Sequence, residues 1–175
     1  THAMRLLDSK GIPYRVTEYD SSGEFHTGEE AAALVGAPAE AVYKTLVVLR
    51  DGLASVGRGP SLDRLRAGAL RHGEGKPFIV MLPVALQLDL RLLAEAAREK
   101  RLRMATQREA EKLTGMQVGG ISALGLQRPG FTILIDERAR ALERVHISAG
   151  ARGMDIELAM SDLVALTDAR FVRTS

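Results

Sequence analysis

The 175-residue chain contains no cysteine, and only 4% of its residues are aromatic. The lack of cysteine excludes disulfides, thiolate metal sites and a cysteine nucleophile. So few aromatic side chains argue against a surface that stacks single-stranded bases. No segment approaches the roughly 18 apolar residues of a membrane span, and residues 1–10 lack the apolar stretch of a secretion signal. We therefore expect a soluble, cytoplasmic protein with no membrane partner.

Several common catalytic signatures are also missing. The chain has no Gly-x-x-x-x-Gly-Lys-Ser/Thr phosphate loop, no Gly-x-Ser-x-Gly nucleophile turn and no His-Glu-x-x-His pair. Its four histidines are scattered along the sequence, without the close spacing that zinc ligands favour. We expect neither a metal nor an organic cofactor.

The remaining composition is that of one globular domain with a slight cationic excess. Apolar residues make up 46% of the chain, which is enough to bury a core. The net charge is +2, and 19 of the 24 cationic residues are arginine. Arginine suits phosphate recognition, so the bias permits RNA contact without requiring it, and the base composition of the source genome is the simpler explanation. We expect no DNA partner.

Capping motifs mark several helices. Thr27 with Glu30 forms a capping box that predicts a helix ending at Gly36, and Thr106 with Glu109 forms one that predicts a helix ending at Gly115. Asp89 predicts a further helix start, and Ser161-Asp162 predicts the cap of the last helix.

The order of the elements indicates the fold class. Pro38 predicts a short helical turn, and Thr45–Leu49 predicts a strand, so Lys44 is expected where helix becomes strand. Short helices and strands are interleaved without a strict βαβ rhythm. We predict an α+β (mixed α/β) single domain over residues 1–175, with a mixed twisted sheet, partly barrel-like, and helices packed around it.

Residues 53–75 interrupt this pattern, because glycine and arginine are frequent there. Loops this long inside a compact domain are commonly functional or disordered. We interpret the segment as an insertion that either contacts RNA through its arginines or is a mobile loop without a role. The segment has four arginines, Arg58, Arg64, Arg66 and Arg71.

Three features could carry chemistry. Lys44 begins an apolar strand, where its ammonium either reaches solvent at an edge or lies in a cleft and neutralises an oxyanion. The segment Val118-Gly119-Gly120-Ile121-Ser122 is either a tight turn or a loop whose backbone N–H groups meet a ligand. The segment Ser148-Ala149-Gly150-Ala151-Arg152-Gly153 leaves the same two interpretations open. Asp155 lies on the strand after it, where its carboxylate either pairs with Arg152 or Lys44 or faces water.

Six further sequence segments occur in a characteristic order. They are Thr1-x-Ala3-x-Arg5-Leu6-Leu7, Gly11-Ile12-Pro13-Tyr14, Tyr43-Lys44-Thr45-Leu46, Pro83-Val84 through Gln87-Leu88-Asp89-Leu90, Thr114-Gly115-x-x-Val118-Gly119-Gly120-Ile121-Ser122, and Gly150-x-Arg152-Gly153-x-Asp155-Ile156-Glu157-Leu158. Taken together, these segments resemble the YbaK family of aminoacyl-tRNA deacylases, which are related to the editing domain of prolyl-tRNA synthetase. The resemblance covers nearly the whole chain.

The resemblance implies hydrolysis of the ester that joins a wrong amino acid to the 3′ end of tRNA, with Cys-tRNA(Pro) as the main candidate. Prolyl-tRNA synthetase is the candidate protein partner. Lys44 would be the essential lysine of the site and Gly119 a backbone donor, while Tyr19, Ser148 and Asp155 would line the pocket. Gly120, Ser122 and Gly150 extend this set of binding residues along the same loops. For a cysteine ester, the resemblance implies attack by the thiol of the substrate itself.

Two features depart from the family pattern, and two other functions stay open. Thr27 stands where an aromatic residue is expected, which would alter the pocket wall, and the 53–75 segment is longer than expected. The alternatives are a deacylase for another small amino acid, such as Ala-tRNA(Pro), and a module that binds the tRNA end without cleaving it.

Overall fold

The computed structural model describes residues 1–22, 27–51, 76–126 and 130–175. The predicted insertion at 53–75 lies outside the described residues. The α-helices in the described ranges are α1 (His2–Lys10), α2 (Gly28–Val35), α3 (Leu90–Ala97), α4 (Gln107–Thr114) and α5 (Met160–Thr167). Two short 3-10 helices span Ala123–Leu126 and Glu137–Ala141. None of the helices in these ranges is long and apolar enough to cross a bilayer.

Eight strands complete the described part of the chain. They are β1 (Tyr14–Glu18), β2 (Tyr43–Arg50), β3 (Phe78–Pro83), β4 (Leu102–Met104), β5 (Thr132–Asp136), β6 (Arg144–Ser148), β7 (Met154–Ala159) and β8 (Arg170–Val172).

Local sequence signals set most of the helix starts. Thr27 and Thr106 each accept a hydrogen bond from the backbone N–H three residues later, and the glutamate at that position caps in return. Asp89 caps α3 through two backbone N–H groups. The predicted cap of the last helix at Ser161-Asp162 is wrong. That helix begins directly after β7, at buried Met160, whose N–H donates to the Glu143 carbonyl at 2.9 Å, so tertiary packing rather than a side-chain cap starts it.

The approach to β2 also differs from the prediction. Pro38 opens a hydrogen-bonded turn rather than a helical segment, because the Ala41 N–H donates back to its carbonyl at 2.9 Å. The strand begins at Tyr43, two residues earlier than expected. Lys44 is therefore the second residue of a strand, and ladder hydrogen bonds on β2 fix its backbone.

The α+β class with a mixed sheet is confirmed, and the strands divide between two sheets. One sheet is antiparallel with the order β1-β7-β6, and the other is mixed with the order β4-β2-β3-β5-β8. In the mixed sheet, β5 is parallel to β3 and β8, whereas β2 is antiparallel to β3 and β4. The two sheets meet where Val42 bridges His146, and the described strands do not close into a barrel.

The core lies between the sheets. β3 is buried along its whole length, and its side chains alternate between two apolar clusters. Ile79 and Met81 belong to a cluster shared by both sheets, whereas Phe78 and Val80 pack with Leu93 of α3. This double burial explains why β3 reads as a continuous apolar run.

The three-stranded sheet turns a polar face away from this core. Ile156 and Leu158 of β7 belong to the shared apolar cluster, and Asp155 and Glu157 alternate with them. Because successive side chains of a strand point to opposite faces, these two carboxylates lie on the outer face. Ser148 and His146, their register partners on β6, lie there too.

Candidate active site

A cavity of about 280 Å³ opens where the two sheets meet. Its walls come from the end of β1, from α2, from the start of β2, from the loop after β3, and from the two glycine-rich loops. Five of the residues predicted for the site line it. They are Tyr19, Lys44, Gly119, Ser148 and Asp155.

Lys44 supplies an ammonium group to the cavity wall. Its position opposite Leu82 of β3 fixes its backbone, and its Nζ donates to the Val84 carbonyl at 3.3 Å. Partial burial lowers the pKa of this ammonium, while the nearby Glu29 carboxylate acts in the opposite direction. An ammonium has three N–H donors, so one long hydrogen bond leaves donor capacity for a ligand.

Asp155 supplies a nearly buried carboxylate, with 5% of its surface exposed. It lies directly opposite Ser148 in the register of β6 and β7. Burial raises the pKa of this carboxyl, and the hydrogen bond with His146 partly offsets that effect. Burial, with a smaller contribution from Asp155, also raises the pKa of the Tyr19 phenol, so that hydroxyl stays protonated and can donate.

The first glycine-rich loop contributes one backbone surface to the cavity. Gly119 has φ +90°, a conformation that L side chains rarely adopt, and it lines the cavity. Gly120 does not line it. Its N–H donates to the Gln117 carbonyl at 2.9 Å, and a Cβ there would lie 2.7 Å from the Arg152 nitrogen. Gly120 therefore allows the two loops to pack together.

Ser122 and Gly150 lie behind the cavity wall rather than in it. Ser122 is fully buried, and its hydroxyl has no hydrogen-bond partner among the described residues. Gly150 has φ +95°, and its N–H donates to the Ser148 hydroxyl at 3.3 Å. A Cβ on Gly150 would lie 3.8 Å from the Ser122 Cβ. These two residues support the loops from beneath.

Several residues that line the cavity were not predicted as site residues from the sequence. Gly28 opens α2 so close to the strand end that a Cβ on it would lie 2.6 Å from the Val84 Cβ. Gly153 has φ +74°, and its carbonyl accepts the Tyr19 N–H at 2.8 Å. Arg152 and Thr45 also line the cavity. The glycine-rich loop pointed to Gly153 and Arg152, whereas the contact of Gly28 with Val84 joins distant segments and left no local signal.

The cavity thus presents an ammonium, a carboxylate, hydroxyl groups and a glycine backbone to one enclosed space. Within the described residues, no three histidine, aspartate or glutamate side chains cluster as metal ligands would. Such a set of groups can hold a polar, partly charged ligand and stabilise an oxyanion on it.

Comparison with known proteins identifies the family. Residues 23–166 match the model of the aminoacyl-tRNA editing domain. The chain belongs to the aminoacyl-tRNA editing domain family. This result confirms the resemblance drawn from the sequence. The chain is therefore an aminoacyl-tRNA deacylase, an ester hydrolase that acts on tRNA.

Relatives of this editing domain match over nearly its full length. A protein of Enterococcus faecalis named "Putative Cys-tRNA(Pro)/Cys-tRNA(Cys) deacylase EbsC" is 30% identical over 171 residues, which cover 98% of this chain and 90% of the relative. The crystal structure of the hypothetical protein APE2540 matches with a TM-score of 0.76 at 22% identity, covering 99% of both chains. A structure described as "a putative trans-editing enzyme for prolyl tRNA synthetase" matches with a TM-score of 0.73 at 22% identity, covering 99% of this chain and 96% of that one. The two structural matches share the fold of the editing domain.

Proposed function

We propose that this editing domain works in trans and removes cysteine from Cys-tRNA(Pro). The observation that carries the proposal is the convergence of Lys44, Gly119 and Asp155 on one cavity. At about 280 Å³, that cavity lies just below the roughly 300–1,000 Å³ range of ligand pockets. The size favours a small amino acid joined to the terminal ribose. The relative named as a Cys-tRNA deacylase supports cysteine as that amino acid.

The charges of the cavity match those of an aminoacyl ester. The ester carries an α-ammonium, and in this proposal the Asp155 carboxylate accepts it. Lys44 and the Gly119 N–H then stabilise the negative charge that develops on the ester carbonyl, since both residues line the cavity. Such donors, fixed before the reaction and shielded from water, contribute strongly to catalysis.

The reaction then needs no nucleophile from the protein. The thiol sulfur of the bound cysteine attacks its own carbonyl carbon, and the bond from that carbon to the ribose oxygen of tRNA breaks. The thiol proton ends on the departing ribose oxygen, and water later opens the cyclic thioester. The enzyme orients the ester and holds the oxyanion, which are the contributions expected of a preorganised site.

We place this reaction at the acceptor end of tRNA in the cytoplasm, beside prolyl-tRNA synthetase. The structural neighbour described as a trans-editing enzyme for that synthetase supports this partner. A synthetase that misacylates tRNA releases the ester that this domain cleaves.

A panel of misacylated tRNAs tests the proposal. Wild-type protein should deacylate Cys-tRNA(Pro) rapidly, and it should leave Ser-tRNA(Pro) intact, because serine has a similar size but a much weaker nucleophile. Rapid hydrolysis of Ala-tRNA(Pro) with slow hydrolysis of the cysteine ester would instead assign the domain to alanine and require an ordered water. Salt-sensitive tRNA binding without cleavage of any ester would make the domain a binding module and refute the proposal.

A further inference from the structure

The His146 side chain contacts Asp155, the carboxylate that lines the cavity. Its Nδ1 lies 2.8 Å from the Asp155 Oδ1, and the two side chains are only 14% and 7% exposed. In the strand register, Asp155 faces Ser148 and His146 faces Glu157. The contact is therefore diagonal across the two strands, a distance that long side chains span easily.

The backbone of His146 ties the two sheets together near Lys44. Its N–H donates to the Ala41 carbonyl at 2.9 Å, and the residue bridges Val42. Lys44 follows Val42 by two residues on the same segment. The His146 backbone therefore contacts the segment that leads into Lys44, and its side chain contacts the Asp155 carboxylate.

The neighbouring carboxylate does not compete for this imidazole. Glu157 lies directly opposite His146, but its Oε1 accepts a hydrogen bond from Arg144 at 2.6 Å, and Arg15 lies 3.6 Å from its other oxygen. Both oxygens of the Glu157 carboxylate therefore have an arginine partner. The His146 side chain is left to contact Asp155.

This arrangement constrains the orientation of the carboxylate. A carboxylate accepts several hydrogen bonds, about two at each oxygen. The bond from His146 occupies one site on Oδ1 and restricts rotation of the Asp155 side chain, while the remaining acceptor sites stay available to a ligand in the cavity. A carboxylate held in place loses less entropy when it binds a cation.

We propose that His146 is a positioning residue that holds the Asp155 carboxylate in place to bind the α-ammonium of the aminoacyl ester. The inference rests on the proposed function and adds a specificity element to it. The pair selects esters with a free, protonated amino group over esters that lack one. Since the ammonium is present before and during the reaction, the pair contributes to binding more than to the chemical step.

Two matched ligands test the inference directly. One is a CCA trinucleotide that carries cysteine through a stable amide, and the other is the same compound without the α-amino group. Wild-type protein should bind the first about tenfold or more tightly, as expected for one charge-assisted hydrogen bond. In His146→Ala the two affinities should approach each other, and KM for Cys-tRNA(Pro) should rise about tenfold while kcat changes little.

A conservative variant separates positioning from folding. Asparagine places an amide nitrogen near the position of Nδ1, so His146→Asn should keep most of the preference for the amino ligand. Urea unfolding of both variants identifies any general loss of structure. A preference that survives in His146→Ala, or a His146→Asn variant that loses it while folded, would overturn the inference.

A different result would refute the proposed function itself. If the wild-type protein cleaves no aminoacyl ester, both proposals fall. If it cleaves Cys-tRNA(Pro) but binds the two ligands equally, the proposed function stands and the role of His146 is refuted.

Discussion

Replacing Gly28 by alanine should impair catalysis more than it impairs stability. A Cβ at Gly28 would lie 2.6 Å from the Val84 Cβ, whereas carbon atoms pack at about 3.5–4.0 Å. The new methyl group must therefore open a gap of roughly 1 Å. Because the Val84 carbonyl accepts the Lys44 Nζ, that displacement moves the ammonium or narrows the cavity.

The magnitudes follow from the same contact. Overpacking lowers the free energy of unfolding by about 1–3 kcal/mol, whereas alanine in place of glycine raises it by up to about 1 kcal/mol in a helix. We expect Gly28→Ala to lower the free energy of unfolding by about 0–2 kcal/mol. A misplacement of about 1 Å can reduce the rate about 100-fold, and we expect that loss in kcat/KM for Cys-tRNA(Pro).

Gly36 at the other end of α2 provides the matched control. It has φ +74°, and a Cβ there would meet nothing within 4 Å. Gly36→Ala should lose about 1–2 kcal/mol of stability through backbone strain alone, with kcat/KM unchanged. Deacylation kinetics and urea unfolding measure both variants. Wild-type kcat/KM in Gly28→Ala, or an equal loss of activity in Gly36→Ala, would refute the coupling of α2 to Lys44 through Val84.

Two further predictions concern the loops and the fold. Gly120→Ala should destabilise the protein by about 1–3 kcal/mol, because the Cβ would lie 2.7 Å from a backbone nitrogen of the second glycine-rich loop. Gly125→Ala is the control, because its Cβ would come no closer than 3.4 Å to another atom, the end of the Met116 side chain. Equal unfolding free energies for the two variants in urea would contradict this prediction. Arg103 binds both oxygens of Glu109 at 2.8 and 2.9 Å and holds the pKa of that carboxyl at about 2, below its usual 4.5. The ion pair therefore stabilises the fold above about pH 4.5 and loses its contribution as the pH falls toward 2. Glu109→Gln should lower the free energy of unfolding in urea by about 1 kcal/mol near neutral pH, and by progressively less below pH 4.5. A loss of stability that does not change with pH would refute this role of the ion pair.

Local signals in the sequence were enough to predict most helices. The caps at Thr27, Asp89 and Thr106 depend on hydrogen bonds within four residues, so their residue types predict the structure directly. The start of α5 at Met160 depends on a contact with Glu143, which no local pattern encodes. For the same reason, the division of the strands into two sheets was not predictable from their order.

The candidate site shows the same limit. Lys44 and Gly119 were predicted because a lysine at a strand start and a glycine pair are visible in sequence, and the resemblance gave them roles. Gly120 was predicted as a ligand contact, but the structure uses it for loop packing, since both demands select glycine. The partner of Asp155 was not predicted, because His146 meets it only through the diagonal contact of two paired strands.

The most direct test of the site is single-turnover deacylation of Cys-tRNA(Pro) by Lys44→Ala, with exposed Lys100→Ala as the matched control. If the Lys44 ammonium stabilises the oxyanion, its loss should slow cleavage about 100- to 1,000-fold. Lys100→Ala should keep the wild-type rate, and both variants should show a cooperative unfolding transition in urea. Wild-type cleavage by folded Lys44→Ala would contradict the assignment of this cavity as the catalytic site.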